Sequence, residues 1–196
     1  MTRKGLLLVL ADPAPSIEEE FNDWYDSEHL PERAVLPGFE TAKRFVCVSG
    51  GPAYAALYDL SSLAALDSEP YRAVSGDRFS PWTRRVAARV RPERIVAERI
   101  EPDDEITGPC ARLLLTEFAG AGEREAAEIM EGFQASFAGS AGHLGTRIFA
   151  AREPRSDTLL AIATFSSLDV PPLQLEAFGA SGRRITLAAV YRPYRR

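Results

Sequence analysis

The chain carries a weak internal repeat, and this repeat constrains its fold more than any other feature of the sequence. Segment 60–63 (Leu-Ser-Ser-Leu) recurs as segment 165–168 (Phe-Ser-Ser-Leu), a displacement of 105 positions. A displacement of 104 positions relates two further pairs, Gly38 with Gly142 and Phe45 with Phe149. Two near-equal displacements in separate parts of the chain indicate two copies of one structural unit.

Hydrophobic periodicity predicts the same order of elements in both halves. In the first half it predicts strands at 5–11, 39–48, 54–60 and 91–100, a helix at 17–30 and a broken helix from about residue 63. In the second half it predicts strands at 112–118, 142–149, 158–165 and 185–191, with helices at 123–137 and 172–178. This β-α-β-β-α-β order is that of a ferredoxin-like unit.

The predicted fold class is therefore α+β, with tandem ferredoxin-like repeats. The acidic, proline-bounded segment 102–109 is expected to be an exposed linker between an N-terminal repeat (1–101) and a degenerate C-terminal repeat (110–196). Segment 79–83 is predicted to be irregular. The short basic end, 192–196, is expected to be a solvated tail.

Composition excludes several classes of function. The chain has 196 residues, is 45% hydrophobic and carries a net charge of −5, so it has no electrostatic footprint for nucleic acid or an anionic membrane. Two cysteines do not make a disulfide framework. The apolar run at 6–11 is too short for a signal peptide, and no run approaches a membrane span. A cytoplasmic location is expected.

The first predicted helix concentrates the residues suited to chemistry. Ser16 is expected to be its N-cap, and Pro31 is expected to end it at residue 30. Residues three or four apart share a face of a helix, which predicts a continuous stripe formed by Phe21, Trp24, Tyr25 and Glu28. His29 should join the edge of this stripe, while Asp23 and Asp26 should face water.

A resemblance to a known family rests on these residues. Segment 21–32, with its Trp-Tyr-x-x-Glu-His-x-Pro core at 24–31, is followed by Pro-Gly-Phe at 37–39 and Lys-Arg-Phe at 43–45. This pattern resembles the EthD-like proteins of the dimeric α/β-barrel superfamily, and segments 57–60 and 80–83 are similar to the same group. The resemblance implies that two ferredoxin-like units pair their sheets into a barrel, here within one chain, with a pocket between each sheet and its helices.

The relatives implied by this resemblance include cofactor-free cyclases and isomerases, small monooxygenases acting on aromatic or polyketide metabolites, and haem-handling proteins. We therefore predict an acid–base site in which His29 transfers a proton with Tyr25 and Glu28 as its partners. The predicted substrate-binding walls are Trp24, Tyr58, Tyr71, Phe79 and Trp82, the last as a lid.

Other roles for the same residues remain open at this point. His29 could brace the end of the helix, Glu28 could pair with Arg33 or Arg44, and Tyr58 could point into the barrel or out of it. The aromatic residues could all be packing.

The leading hypothesis is a cofactor-independent cyclase, isomerase, dehydratase, carbon–carbon lyase or small monooxygenase acting on an aromatic or polyketide-like metabolite. One alternative is a haem-binding or haem-processing protein that uses His29 or His143 as the axial ligand. The other is a non-catalytic protein that binds a small hydrophobic ligand. No metal site is expected, because the two histidines lack the spacing of metal ligands. The second half lacks the polar cluster, so one site per chain is expected, and pairing of two such chains into a homodimer is left open.

Overall fold

The two halves of the chain fold alike and close on each other as a barrel. The computed structural model describes residues 2–100 and 105–195. Its strands are β1 (Gly5–Ala11), β2 (Lys43–Ser49), β3 (Tyr54–Leu60), β4 (Glu93–Arg99), β5 (Arg112–Ala119), β6 (His143–Glu153), β7 (Thr158–Phe165) and β8 (Ile185–Pro193). All eight pair in antiparallel fashion.

The helices lie outside the barrel. The α-helices are α1 (Glu18–Trp24), α2 (Leu30–Ala34), α3 (Glu69–Ala73), α4 (Pro81–Val90) and α5 (Ala126–Ser136). A π-helical turn, Tyr25–His29, joins α1 to α2 without a break, and we call the whole of 18–34 the site helix. Short 3-10 helices cover Leu63–Asp67, Gly76–Arg78, Glu123–Glu125 and Leu175–Arg184.

The strand order confirms the predicted tandem architecture. The first half forms the sheet β4-β1-β3-β2 and the second forms β8-β5-β7-β6. Numbered within its own half, each sheet has the order 4-1-3-2. The barrel closes where β2 pairs with β8 and where β4 pairs with β6, so each half supplies its second and fourth strands to the seams.

The repeated residues of the sequence turn out to contact one another. The Ser61 backbone N–H donates to the Gly38 carbonyl at 2.9 Å, and the Ser166 N–H donates to the Gly142 carbonyl at 2.8 Å. Gly38 has a φ of +86°, and a Cβ there would lie 2.7 Å from the Ala65 Cβ. The repeat therefore marks one packing contact, made twice, between the end of the third strand and the loop after the first helical segment.

Alternation along the strands separates the barrel interior from the helix layers. On β1, Leu6, Leu8 and Leu10 point into the barrel, while Leu7 packs beneath the helices. The repeat pair Phe45 and Phe149 lies inside the barrel. Both faces of the sheet are thus covered, and the helix side of each half has a cluster of its own.

Two predictions about the site helix are wrong. The helix does not end before Pro31, because the Leu30 N–H donates to the Tyr25 carbonyl in the five-residue pattern of a π turn. Pro31 then lies in the first turn of α2, where its missing N–H is tolerated. Ser16 is not the N-cap either: that position is taken by the buried Ile17, without a side-chain cap.

Segments 79–83 and 192–196 also differ from expectation. Segment 79–83 contains the start of α4, where Ser80 is the N-cap and accepts a hydrogen bond from the Thr83 N–H at 2.9 Å. The end of the chain is not a free tail, because β8 continues to Pro193 and the Tyr194 N–H donates to the Arg44 carbonyl. Arg196 lies outside the described residues.

The predicted linker falls partly outside the described residues, at 102–104, and the boundaries of the two repeats stay a prediction. In the described part of the predicted linker, Thr107 is buried, with 1% of its surface accessible. Its N–H donates to the Asp59 Oδ2 at 2.8 Å, and its hydroxyl accepts from the Arg147 Nη2 at 2.6 Å. This end of the linker is therefore packed into a polar cluster between the halves.

At the centre of this cluster is a buried ion pair that joins the two halves. The Arg147 Nη1 of β6 lies 2.7 Å from the Asp59 Oδ1 of β3, and both side chains are about 95% inaccessible. The Thr41 hydroxyl also donates to the Asp59 Oδ2. Burial alone would raise the pKa of Asp59, but the Arg147 charge and the hydrogen bonds from two threonines outweigh it and hold that pKa below its ordinary value.

Asp59→Asn is expected to lower the free energy of unfolding by about 3–5 kcal/mol, because Arg147 stays buried without its counter-charge. Since the folded pKa of Asp59 is lowered, the wild-type protein should also lose this stabilisation as the pH falls through that pKa. Urea unfolding at several pH values measures both effects. The control is Glu69→Gln, which breaks the exposed pair with Arg78 and should change stability little. Equal losses in the two variants would contradict the account.

Candidate functional site

A largely apolar cavity of about 230 Å³ lies between the first sheet and its helices. Its floor comes from β1 and β3, one side from the site helix and the other from α4. The polar side chains that line it are His29, Tyr25, Tyr58, Tyr71, Arg33, Thr83 and Arg94. This is the pocket position that the family resemblance implied.

The π turn brings Trp24 and His29 together at the cavity wall. Their ring centroids are 4.1 Å apart, although the two residues are five positions apart in sequence. In an α-helix such residues do not face each other, since neighbours there are three or four apart. The Tyr25 ring meets His29 edge-on, with centroids 5.0 Å apart. The local widening of the helix therefore places Trp24, Tyr25 and His29 on one surface.

His29 is held as a neutral imidazole. Burial lowers the pKa of His29 well below its ordinary value, and the positive charges of Arg33 and Arg44 lower it further. Its Nδ1 is buried and has no hydrogen-bond partner among the described residues. At neutral pH the ring thus has an unused nitrogen at the cavity, and it is uncharged.

Tyr58 points out of the barrel, toward the helices, and lies at the floor of the cavity. Its hydroxyl is also buried, and it interacts with the Tyr25 phenol without a hydrogen bond of regular geometry to any residue that the structure describes. Burial and the neighbouring Tyr25 phenol raise the pKa of Tyr58 well above its ordinary value. The hydroxyl therefore stays protonated and is available as a donor.

Tyr25 is not at the mouth of the cavity but buried beside it, with 3% of its surface exposed. Burial raises its pKa, although the Arg44 charge opposes this shift. The Arg44 guanidinium carbon lies 4.3 Å from the centre of the Tyr25 ring, a cation–π distance. Tyr25 is thus a protonated phenol between a cation and the cavity.

Asp26 does not face water, as its helical position had suggested. Its Oδ1 lies 2.9 Å from the Arg44 Nη1, and the side chain of Arg44 is only 2% exposed. On its other side Arg44 stacks over Tyr194, at 4.0 Å from the ring centre. The second half of the chain, through the residue after β8, therefore helps to hold the π turn.

Arg33 is a site residue that the sequence reasoning missed, since it was considered only as a partner of Glu28. Its side chain is 4% exposed and lines the cavity, donating to the Val74 carbonyl at 2.9 Å and to the Glu32 carboxylate at 2.7 Å. The available signal was its spacing, because Arg33 stands one helical turn after His29. It places a positive charge at the cavity wall.

Glu28 pairs with neither Arg33 nor Arg44, which was the alternative to an acid–base role. Its Oε1 accepts hydrogen bonds from the Ser80 hydroxyl at 2.5 Å and the Thr83 hydroxyl at 2.8 Å. The Thr83 hydroxyl in turn accepts from the Trp24 Nε1 at 3.0 Å. Glu28 lies outside the cavity lining and fastens the site helix to the start of α4.

Four of the five predicted wall residues line the cavity, namely Trp24, Tyr58, Tyr71 and Phe79. Tyr71 also stacks on Phe39, with ring centroids 5.7 Å apart. Trp82, the predicted lid, is absent from the lining and packs at the edge of the same apolar cluster.

In the second half aromatic side chains pack the helix layer against the sheet. By the repeat displacements, Phe133 stands for His29 and Ala163 for Tyr58. Phe133 packs edge-on against Phe178, with centroids 5.0 Å apart. His143 lies elsewhere, with its Nε2 hydrogen-bonded to the Thr146 hydroxyl at 2.9 Å.

Residues 2–100 and 105–195 contain neither a metal-binding group nor a membrane-spanning helix. No group of three or more His, Cys, Asp or Glu residues there could hold a metal ion. No helix there has the length and apolar character needed to cross a membrane.

Comparison with known proteins gives structural neighbours only; no protein-family model and no curated protein matches the sequence. An anthrone oxidase-like protein aligns with a TM-score of 0.66 and 12% identity over 100% of this chain and 92% of its own. A monooxygenase candidate from Lactobacillus acidophilus NCFM aligns with a TM-score of 0.59 and 9% identity, over 98% and 93%. A chlorite dismutase from Candidatus Nitrospira defluvii, in complex with imidazole, aligns with a TM-score of 0.56 and 10% identity over 97% of this chain and 91% of its own. At these identities the likeness concerns the fold, and that fold is the dimeric α/β barrel.

Proposed function

We propose that the chain is a cofactor-independent enzyme that transfers a proton on a small aromatic or polyketide-like metabolite bound in the His29 cavity. The observation that carries this proposal is the pair of buried polar atoms, His29 Nδ1 and the Tyr58 hydroxyl. Both residues line one apolar cavity. His29 Nδ1 has no partner among the described residues, and the Tyr58 hydroxyl lies beside the Tyr25 phenol without a hydrogen bond of regular geometry. Leaving a buried polar group unpaired costs about 1–3 kcal/mol, which a bound ligand would offset.

The two groups complement a phenolic or enolic oxygen. Tyr58 is protonated and can donate to that oxygen, while the neutral imidazole of His29 can accept its proton. Transfer of the proton leaves an enolate or phenolate on the ligand and an imidazolium on His29. The negative charge formed next to the imidazolium, with Arg33 at the wall, favours the charged pair over either charge alone.

Return of that proton to a different ligand atom completes an isomerisation, and attack of the enolate carbon on a carbonyl within the same molecule completes a cyclisation. In each case the proton taken by His29 is given back, so no cofactor is required. A monooxygenase reaction would begin with the same proton removal, with dioxygen as the additional oxidant. The anthrone oxidase-like neighbour supports an aromatic substrate class, and the monooxygenase neighbour supports oxygenation as one of the reactions.

The size of the cavity supports a ligand of one or two rings. A cavity of about 150 Å³ holds benzene in a well-studied engineered case, and this one has about 230 Å³. Aromatic walls such as Trp24 and Phe79 suit a flat ring.

Tyr58→Phe is expected to weaken the binding of 1-naphthol about tenfold, because one of the two oxygen contacts is lost. The loss should be measured by isothermal titration calorimetry. Folding should be little affected, since the deleted hydroxyl makes no hydrogen bond of regular geometry in the described part of the chain. Tyr191→Phe is the matched control: it removes another buried, unpartnered hydroxyl, inside the barrel, and should leave binding unchanged. Equal affinities for Tyr58→Phe and the wild type would refute the assignment.

His29→Gln is expected to abolish turnover once a substrate is identified, while ring binding persists. Binding by wild type without any turnover, across a panel of phenols and enolisable ketones, would instead favour the non-catalytic alternative.

The lowered pKa of His29 has a consequence for stability. The folded protein resists protonation of His29, whereas the unfolded chain binds that proton below a pH of about 6.5. Stability should therefore fall as the pH drops below that value, and His29→Gln should remove this component. NMR titration tests the cause directly, because the chain has only two histidines. The His29 ring should titrate at a lower pH than His143, with His143→Gln used for assignment; the reverse order would contradict the site's electrostatics.

Haem binding is the second candidate, favoured by the unpartnered Nδ1 of His29 and by the chlorite dismutase neighbours. The residues around His29 do not fit it, since pockets for drug-sized ligands span about 300–1,000 Å³ and this cavity has about 230 Å³. His143 fits no better, because its ring packs against Phe137 and Phe165. Titration of hemin should give no Soret shift that depends on either histidine. A shift lost in His29→Ala or His143→Ala would establish the haem alternative.

A further inference from the structure

A second concave surface lies on the opposite side of the site helix from the His29 cavity. It is an open groove of about 630 Å³. Its lining comes from Asp26, Leu30 and Pro31 of the site helix, from the start of β2, from segment 108–110 and from segment 193–195. We call it the basic groove. Both halves of the chain contribute to it, so it exists only in the closed barrel.

The charge of the groove is opposite to that of the chain. Three cationic side chains line it, Lys43, Arg44 and Arg195, although the net charge of the chain is −5. The carboxylate that the described residues contribute to the lining is Asp26, which lies 2.9 Å from the Arg44 Nη1. Within the part of the chain that the structure describes, neither Lys43 nor Arg195 is in an ion pair with a carboxylate. The groove therefore has two positive charges that are not neutralised by those residues.

One of the three cationic side chains, that of Arg44, is buried. Arg44 is 5% exposed and is fixed by stacking on Tyr25 and Tyr194. Its Nη1 is bonded to Asp26 and its Nη2 donates to the Asn22 Oδ1 at 2.6 Å. Arg44 therefore contributes a fixed positive charge beneath the groove and not a free donor at its surface. Lys43 and Arg195 lie at more accessible positions around it.

Much of the remaining lining is apolar. Leu30 and Pro31 form one side, Pro109 and Pro193 the other, and Phe45 lies at the bottom. A free inorganic anion would use the charges and leave these surfaces exposed to water. A ligand with a carboxylate at one end and a hydrocarbon body would cover both.

We propose that the basic groove is a second ligand site, which binds an amphipathic organic carboxylate with its acid group at Lys43 and Arg195, above the buried charge of Arg44. This inference does not depend on the proton-transfer function of the His29 cavity, which lies across the site helix.

Cys110 lines the groove and provides a local reporter. In a Cys47→Ser background it is the only thiol in the chain, and its alkylation by iodoacetamide can be followed by mass spectrometry. Burial raises the pKa of the Cys110 thiol, so the reaction is best run at alkaline pH. Octanoate is the probe, with 1-octanol as its uncharged counterpart and inorganic phosphate as an anion without a hydrocarbon body.

Octanoate at ten times its dissociation constant should slow alkylation of Cys110 about tenfold, whereas octanol and phosphate at the same concentration should not. Lys43→Glu/Arg195→Glu should weaken the protection by octanoate at least about fivefold. The control is Arg124→Glu/Arg183→Glu, which changes the net charge by the same amount at exposed positions outside the groove. This variant should keep the protection by octanoate.

Three results would overturn the proposal. One is the absence of protection by octanoate at any concentration. Another is equal protection by octanol or by phosphate, which would mean that the charge or the hydrocarbon body is not recognised. The third is an equal loss of protection in both charge-reversed variants. Tyr58→Phe serves to separate the two sites, since it should leave octanoate protection unchanged.

Discussion

Closure of the barrel is the constraint on which the rest of the structure depends. Each four-stranded sheet has two edge strands whose backbone groups would otherwise lack partners. Pairing of β2 with β8 and of β4 with β6 satisfies them within one chain. Closure also converts the inner faces of both sheets into one apolar core, and it brings Asp59 of one half against Arg147 of the other.

Because a single chain supplies both halves, they are free to differ. Both have a helix layer over a sheet, and the layer of the first half encloses a cavity with polar side chains. In the second half Phe133 packs among aromatic neighbours, and such close packing is stabilising. The first half instead has the unpartnered Nδ1 of His29 at this layer, which lowers stability. This difference between the halves supports the proposed ligand in the first half.

The fold could be predicted from the sequence because the relevant signals are local or repeated. Hydrophobic alternation located the strands, and the recurrence of Gly38 as Gly142 marked a contact that both halves make. Some departures involve partners distant in sequence. Glu28 could not be assigned to Ser80, 52 positions away, from helical spacing alone. The π turn was hidden for a different reason, since Pro31 has the same local signature whether a helix stops or widens before it.

The site was predicted in outline only. His29, Tyr25 and Trp24 were singled out from their clustering on one helix, whereas Arg33 was missed because a lone arginine near a helix end usually faces solvent. The lowering of the His29 pKa could not be predicted from the sequence either. It follows from burial and from two arginines, of which Arg44 reaches the site from β2.

The central claim is that His29 Nδ1 and the Tyr58 hydroxyl bind one oxygen of an aromatic ligand. A crystal of the protein soaked with 1-naphthol tests this most directly. The account predicts density for the ring in the His29 cavity, with its oxygen within hydrogen-bonding distance, about 2.7–3.2 Å, of both atoms. A naphthol found only elsewhere, or bound in the cavity with its oxygen turned away from both residues, would contradict it.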